Sequence, residues 1–329
     1  MPPTRHMWTN LGLPLAYHVW EPDPATAGPQ PETVVLLHGY LDHGRSFEPV
    51  AQVLARRFRV VLPDHRGHGD SGFVGAGGYY HFPDYILDLH RLFDQLQVES
   101  AHLAGHSMGA SIACYFTGAF SERVASLALL DGIGPSQVPA DRSPALIRRW
   151  VNDLRLAQAR GDSPNDAMES LEEVARRIAR TSPGATPERL LALARTASRE
   201  GEDHTFRWRF DPMHRTTSPM PFDLTRFRVF LQSIRCPTLA VWGERSPMRP
   251  PDAAERLALI QDLTQFELPG AAHNLHHERP DELAAVLLGF FAKASASPSA
   301  ALAKPSGPGF AIPAKASGPG FAIPAKAGS

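Results

Sequence analysis

The chain has 329 residues, a formal net charge of −1 and a charged fraction of 20%. The balanced charge argues against a nucleic-acid-binding or membrane-surface protein, because no basic field is present to attract phosphates. The sequence contains no run of 18 or more apolar residues, so we expect no membrane span. The first 20 residues lack the apolar core of a secretion signal. Cys114 and Cys236 are too few for a disulfide framework. We therefore expect a cytoplasmic globular protein in which both thiols are buried and reduced.

Apolar runs of strand length alternate with helix-length segments along most of the chain. The runs lie at residues 33–37, 59–62, 102–104, 127–130, 238–242 and 264–268. Continuous apolar strands separated by helices predict a mostly parallel, doubly wound sheet with helices on both faces, an α/β fold. In such sheets catalytic groups collect at the carboxyl ends of the strands.

The first run is followed by His38-Gly39-Tyr40. Gly39 allows the backbone to turn inward, so the Tyr40 amide is a candidate donor for an oxyanion hole. The second run is followed by a glycine-rich loop at residues 64–71 that contains Arg66. We interpret this second loop as fixing geometry rather than performing chemistry.

Residues 105–109 carry the most informative motif, Gly-His-Ser-Met-Gly. An apolar strand precedes it and an apolar helix-forming segment follows it, as in the G-x-S-x-G nucleophile elbow. Gly105 and Gly109 are needed because side chains there would clash where strand and helix cross. The motif predicts Ser107 as a nucleophile and the Met108 amide as a second oxyanion donor.

Residues 135–222 break the strand–helix alternation. Apolar residues recur there at helical spacing, and Ser163-Pro164 and Thr186-Pro187 are typical of helix starts. We expect a helical cap over Ser107, inserted between a first core segment (1–134) and a second (223–292). The aromatic and arginine residues at 206–210 either line a pocket or seat the cap on the core.

A general base is expected near the end of the core. His273 follows a Pro-Gly turn after the last predicted strand, in a small-residue loop that suits an imidazole reaching toward Ser107. His276 and His277 follow it at a spacing that could suggest a metal. No carboxylate at a matching spacing supports that, so we expect neither a metal nor a cofactor.

The last segment, residues 293–329, differs from the rest in composition. The four lysines of the chain, Lys293, Lys304, Lys315 and Lys326, recur there every eleven residues within a repeat rich in alanine, proline, glycine and serine. Such sequence cannot bury enough apolar surface to offset its ordering entropy, so we expect a disordered tail. Its two Phe-Ala-Ile-Pro copies could dock a protein partner, although a neutral extension is the favoured interpretation.

Four motifs together resemble the α/β-hydrolase superfamily over residues 14–292. They are His-Gly at 38, Asp-x-Arg-Gly-x-Gly-x-Ser from 64, Gly-His-Ser-Met-Gly from 105 and Gly-x-x-His from 270. Residues 38–42 and 210–212 resemble the serine hydrolase-like group, which is related to epoxide hydrolases and haloalkane dehalogenases. Both of those relatives use an aspartate nucleophile, so a serine at position 107 argues against their activities.

The resemblance implies an acid between Ser107 and His273 in the chain, and its position stays open. Many relatives have an aspartate where this chain has Ser246. Some members take the acid from the end of the preceding strand, where Asp131 stands, and we favour that position. Glu244 and Asp252 are the alternatives.

These residues predict a serine hydrolase, a carboxylesterase, that cleaves a small-molecule ester or related acyl compound through an acyl-serine. Hydrolysis of a C–C bond, amide hydrolysis and acyl transfer use the same groups and stay open. A non-catalytic binding protein of this fold is the alternative of a different class.

Overall fold

The computed structural model describes residues 3–22, 31–75, 77–160 and 167–296. The strands are β1 (Thr4–Asn10), β2 (Leu13–Trp20), β3 (Thr33–Leu37), β4 (Arg59–Pro63), β5 (Ala101–His106), β6 (Val124–Leu130), β7 (Ser198–Glu200), β8 (Phe206–Trp208), β9 (Thr238–Gly243) and β10 (Leu263–Leu268). The helices are α1 (Glu48–Leu54), α2 (Phe82–Gln95), α3 (Met108–Ala119), α4 (Ser143–Arg160), α5 (Leu171–Ala179), α6 (Pro187–Ala197), α7 (Leu224–Ser233), α8 (Ala253–Leu257), α9 (Leu275–Glu278) and α10 (Pro280–Ala296).

Within the described residues, eight strands form one sheet in the order β1-β2-β4-β3-β5-β6-β9-β10. The six strands from β4 to β10 in this order pair in parallel, as their apolar runs predict. Their carboxyl ends therefore share one edge of the sheet. The predicted α/β class and all six predicted strands are confirmed.

The antiparallel hairpin β1–β2 at one side of the sheet was not predicted. Its two-residue turn consists of Leu11 and Gly12, both at positive φ (48° and 83°). Strand β2 continues the sheet by pairing antiparallel with β4. The turn glycine and the apolar residues of β2 are the sequence features from which this hairpin could have been predicted.

Helices cover both faces of the sheet. Helices α2, α3, α7 and α8 pack on one face around buried residues such as Phe93, Phe116 and Phe227. Helices α1 and α10 pack on the other, around Phe47 and Phe291. The sheet is therefore doubly wound. The loops lie at the two edges where the strands begin and end.

Between β6 and α7 the chain forms α4, α5, α6 and the two-stranded antiparallel sheet β7–β8. Helices α5 and α6 share a small apolar core of their own that includes Val174, Ile178 and Leu193. Thr186 caps α6 as expected, accepting from the Arg189 amide, with Pro187 in the first turn. Ser163-Pro164 lies outside the described residues. The pair β7–β8 was not expected in a helical insertion.

Helix α10 continues to Ala296, one turn beyond the expected core boundary at 292. The expected tail lies outside the described residues from 297 onward. Both cysteines are buried and free. Among the described residues, no helix is long and apolar enough to cross a membrane.

Candidate active site

Chain segments that leave the parallel strands meet at their shared carboxyl edge. Ser107 follows β5 directly and Asp131 follows β6 directly. Tyr40 lies three residues after β3, and His273 lies five residues after β10. The parallel register explains why residues far apart in the chain converge here.

The elbow has the geometry that its glycines require. Ser107 has φ 52° and ψ −108°, a conformation that costs a non-glycine residue energy. A Cβ at Gly105 would lie 2.3 Å from the Gly109 carbonyl oxygen, and one at Gly109 would lie 2.5 Å from the Leu37 carbonyl oxygen. Glycine at both positions lets β5 and α3 cross closely enough to hold the strained serine.

The Ser107, His273 and Asp131 side chains form a continuous hydrogen-bonded chain. His273 Nε2 lies 3.0 Å from Ser107 Oγ, and His273 Nδ1 lies 2.5 Å from Asp131 Oδ2. The side chain of Asp131 is fully buried, whereas that of His273 is 20% exposed. The imidazole is thus held by a buried carboxylate on one side and faces the serine hydroxyl on the other.

The two other carboxylates considered as the acid lie elsewhere. Glu244 is exposed and accepts the Gly270 amide at 2.6 Å. Asp252 pairs with the buried Arg256 at 2.8 Å. Ser246 donates its hydroxyl to Asp131 Oδ2 at 2.5 Å. The residue at the commoner acid position therefore supports Asp131 instead of replacing it, a role that its sequence position alone did not indicate.

The loop after β3 places a backbone segment beside the serine. A Cβ at Gly39 would lie 3.5 Å from Ser107 Cβ, so this segment adjoins the elbow. His38 Nε2 accepts the His65 amide at 3.0 Å, which leaves Nδ1–H to donate to the Gly39 carbonyl at 2.8 Å. Because a peptide's carbonyl and N–H point in opposite directions, this bond fixes the orientation of the Tyr40 amide.

The second candidate oxyanion donor, Met108, is the first residue of α3. Amides in a first helical turn have no intrahelical acceptor and carry the positive end of the helix dipole. The Tyr40 phenol, which could have faced a substrate, donates to the His214 carbonyl at 2.5 Å. It ties the loop to the segment after β8.

The loop at 64–71 is held by buried polar contacts. Asp64 accepts the Gly44 and Asp70 amides at 2.7 and 2.8 Å. Arg66 forms an ion pair of 2.7 Å with Asp88 on α2, and both residues are buried. These bonds give the loop the structural role that its sequence indicated.

Asp42 is a residue that the sequence reasoning missed. Its Oδ2 lies 3.0 Å from His276 Nε2, 3.5 Å from His277 Nε2 and 2.7 Å from Ser46 Oγ. Burial raises the pKa of Asp42, but the histidines around it more than offset this and hold it well below its usual range. No carboxylate accompanies His276 and His277 in the sequence nearby, but the loop after β3 brings Asp42 to them.

The segment inserted between β6 and α7, predicted to be a cap, contacts residues 274–277 directly. Ser182 Oγ lies 2.9 Å from His277 Nδ1, and Asn274 Nδ2 donates to the Thr181 carbonyl at 2.8 Å. Arg189 of α6 donates to the Ser46 carbonyl. Its charge also adjoins Asp42, which disfavours a further cation there. We therefore interpret the Asp42 group as a hydrogen-bonded brace between the loop after β3, the inserted segment and the segment that bears His273.

The topology and the strained serine at a β–α crossing define an α/β-hydrolase fold. The family model of the alpha/beta hydrolase fold matches residues 32–280. The chain belongs to this family.

Individual relatives agree with that membership. The chain is 28% identical to a serine hydrolase-like protein of Danio rerio, over 51% of each chain, so the match spans about half of that relative. It is 25% identical to a serine hydrolase-like protein of Dictyostelium discoideum, over 85% of this chain and 79% of the relative. The expected serine hydrolase-like group is confirmed.

Solved structures show the same fold. The hypothetical protein PA1622 from Pseudomonas aeruginosa PAO1 superposes with a TM-score of 0.77 at 28% identity, covering 90% of this chain and all of that one. A thioesterase domain from the curacin biosynthetic pathway also gives a TM-score of 0.77, at 23% identity, over 88% of this chain and all of that one. The second likeness concerns the fold alone.

Proposed function

We propose that this protein is a serine hydrolase that cleaves a carboxylic ester or a related acyl compound through an acyl-Ser107 intermediate. The observation that carries the proposal is the unbroken chain from Ser107 Oγ through the His273 imidazole to Asp131. A serine hydroxyl is a weak nucleophile unless an adjacent base accepts its proton, and this base is in contact with it.

In the first half-reaction, His273 Nε2 takes the Ser107 proton as Oγ attacks the acyl carbon. Asp131 keeps the proton on Nδ1 and stabilises the imidazolium, while Gly243 N–H, at 3.0 Å, and Ser246 hold the carboxylate in place. The amides of Tyr40 and Met108 donate to the oxyanion, and removing one such donor typically costs a factor of about 10² to 10³ in rate.

Collapse of the tetrahedral intermediate breaks the acyl–oxygen bond, and the leaving alcohol takes the proton from His273 Nε2. A water molecule then attacks the acyl-serine while the same nitrogen accepts its proton. Collapse of the second tetrahedral intermediate breaks the bond between the acyl carbon and Ser107 Oγ, which takes the proton back from His273 Nε2 as the acid leaves.

The test is Ser107→Ala, because alanine keeps the elbow backbone and removes the attacking oxygen. We expect loss of ester turnover and of labelling by a fluorophosphonate probe, with an unchanged melting temperature. Ser111→Ala, one helical turn further along α3, is the matched control and should keep both properties. Turnover by Ser107→Ala above about one hundredth of that of the parent chain would refute the assignment. Absence of labelling in the parent chain would favour a non-catalytic binding protein.

A further inference from the structure

A cleft is lined by Leu41 of the core and by residues of the segment inserted between β6 and α7. Its volume is about 540 Å³, within the range of small-molecule sites. Leu41, on its core side, directly follows Tyr40, and Thr181 lies on its cap side. The Thr181 carbonyl is bound by Asn274, which directly follows His273. The cleft therefore begins one residue away from the proposed oxyanion donor and lies within one hydrogen bond of the residue after the proposed base.

Arginine dominates the charge of this cleft. Arg176, Arg177, Arg180 and Arg215 all line it. One carboxylate, Glu173, occurs among the described lining residues, and it pairs with Arg177 at 2.7 Å. Four guanidinium groups and one carboxylate therefore line this cleft among the described residues, although the whole chain has a net charge of −1. Arginine is thus concentrated at this site.

The arginines of the cap are presented on a firmly packed helix. Val174 and Ile178 bury the inner face of α5 in the core of the cap, while Arg176 and Arg180 are exposed. Arg176 lies in the last turn of α5 and Arg180 is its C-cap, where the helix dipole favours cations.

The cleft also has an apolar wall. The rings of Trp208 and Phe210 are stacked with their centroids 5.8 Å apart, and the Arg215 guanidinium carbon lies 5.0 Å from the Phe210 ring centre. An acyl chain could lie against the rings with a charged end at the arginines. Of the alternating residues at 206–210, Trp208 and Phe210 line the cleft, whereas Arg207 pairs with Asp203 and Arg209 with Asp70.

We propose that this cleft selects acyl compounds that carry an anionic group, a carboxylate or a phosphate. Guanidinium groups bind both anions through paired hydrogen bonds. The inference rests on the proposed function, because the cleft is assigned as the substrate-binding part of the same site.

Two matched pairs of substrates test the inference and separate the two anions. Methyl hydrogen glutarate is compared with methyl pentanoate, and S-acetylphosphopantetheine with S-acetylpantetheine. Within at least one pair we expect kcat/KM to favour the anionic member by about tenfold or more, since charged hydrogen bonds supply that much. The pair that shows the preference identifies the carboxylate or the phosphate as the recognised group.

Three variants assign the preference to the cleft. In Arg176→Gln/Arg180→Gln we expect the preference for the anionic member to fall below about threefold. Arg176→Lys/Arg180→Lys keeps both charges and should keep most of the preference. Arg148→Gln, which removes one exposed charge from α4 outside the cleft, is the control and should leave the preference as it is.

The outcomes distinguish a failure of this inference from a failure of the proposed function. Hydrolysis of neutral and anionic members at equal efficiency would overturn the inference and leave the proposed function standing. A preference that survives the double glutamine variant would also overturn it. If the probe labels Ser107 but none of the four compounds turns over, the test is how well each compound protects Ser107 from the probe. Equal protection by both members of each pair would refute the inference. Absence of both labelling and turnover would remove the proposed function and this inference with it.

Discussion

At the scale of single residues, the ends of two neighbouring strands contribute to the acid of the proposed triad. Asp131 follows β6 and supplies the charge, while Ser246 follows β9 and donates to the same carboxylate oxygen that faces His273. The Gly243 amide occupies the other oxygen. A serine at the position after β9 therefore has a physical use, since it orients a carboxylate that comes from the neighbouring strand.

This arrangement predicts the effect of exchanging each carboxyl for an amide. Asp131→Asn should lower turnover by about two to four orders of magnitude at neutral pH, because an amide favours the wrong imidazole tautomer. Glu244→Gln should have a small effect, because the exposed Glu244 side chain accepts a loop amide and does not contact His273 among the described residues. Steady-state kinetics of the two variants check this. A mild Asp131→Asn and a severe Glu244→Gln would place the acid after β9.

A double variant tests whether the carboxylate can be moved from position 131 to position 246. Ser246 Oγ lies 2.5 Å from the Asp131 carboxylate, so a carboxylate at position 246 approaches the same imidazole. Ser246→Asp in the Asp131→Asn background should therefore restore part of the lost turnover. No recovery at all would mean that the two strand ends cannot substitute for each other.

At the scale of elements, the elbow depends on how closely β5 and α3 cross. The position where a Gly105 Cβ would stand is occupied by the backbone of Gly109, which cannot move without shifting the whole helix. Strain at Ser107 is thus maintained by the packing of two elements and not by the serine itself.

We expect Gly105→Ala to lower the free energy of unfolding by about 1–3 kcal/mol and to reduce turnover sharply, because overpacking displaces the serine. Gly289→Ala is the matched control. Among the described residues nothing lies within 4 Å of a Cβ at this position of α10, so alanine should stabilise the helix by about 0.5–1 kcal/mol. Denaturant unfolding and kinetics measure both effects. Unchanged stability and turnover in Gly105→Ala would show that the crossing has more room than the structure gives it.

At the scale of the whole molecule, the histidines buried around the catalytic edge make stability depend on pH. Burial lowers the pKa of His65 and His214 to about 4 and that of His276 to about 3. Burial likewise holds the pKa values of three others, His38, His68 and His106, well below the ordinary value. The folded state keeps these groups neutral.

The unfolded chain protonates its histidines near pH 6.5, so between about pH 6.5 and 4 it binds more protons than the folded protein. Stability should therefore be highest above pH 6.5 and fall as the pH drops through that window, by up to about 1.4 kcal/mol per pH unit for each such histidine. Urea unfolding at several pH values between 7.5 and 5 measures the slope. A flat profile would contradict it.

The sequence by itself determined the parallel strands and the elbow. Both are local features, since an apolar run specifies a buried strand wherever it lies and the glycines at 105 and 109 impose one kind of crossing. The same locality let Thr186-Pro187 predict the start of α6. The expected tail, beyond the described residues, stays a prediction from composition alone.

The tertiary structure alone decided which distant groups meet. The sequence favoured Asp131 over Glu244 and Asp252 as the acid, but the contact of Asp131 with His273 depends on the order of β6, β9 and β10 in the sheet. Asp42 reaches His276 from more than 200 positions away, so no spacing could reveal it. The arginines of the cleft come from α5 and from the segment after β8. They line one cleft because of how the segment between β6 and α7 packs, and no single stretch of sequence determines that packing.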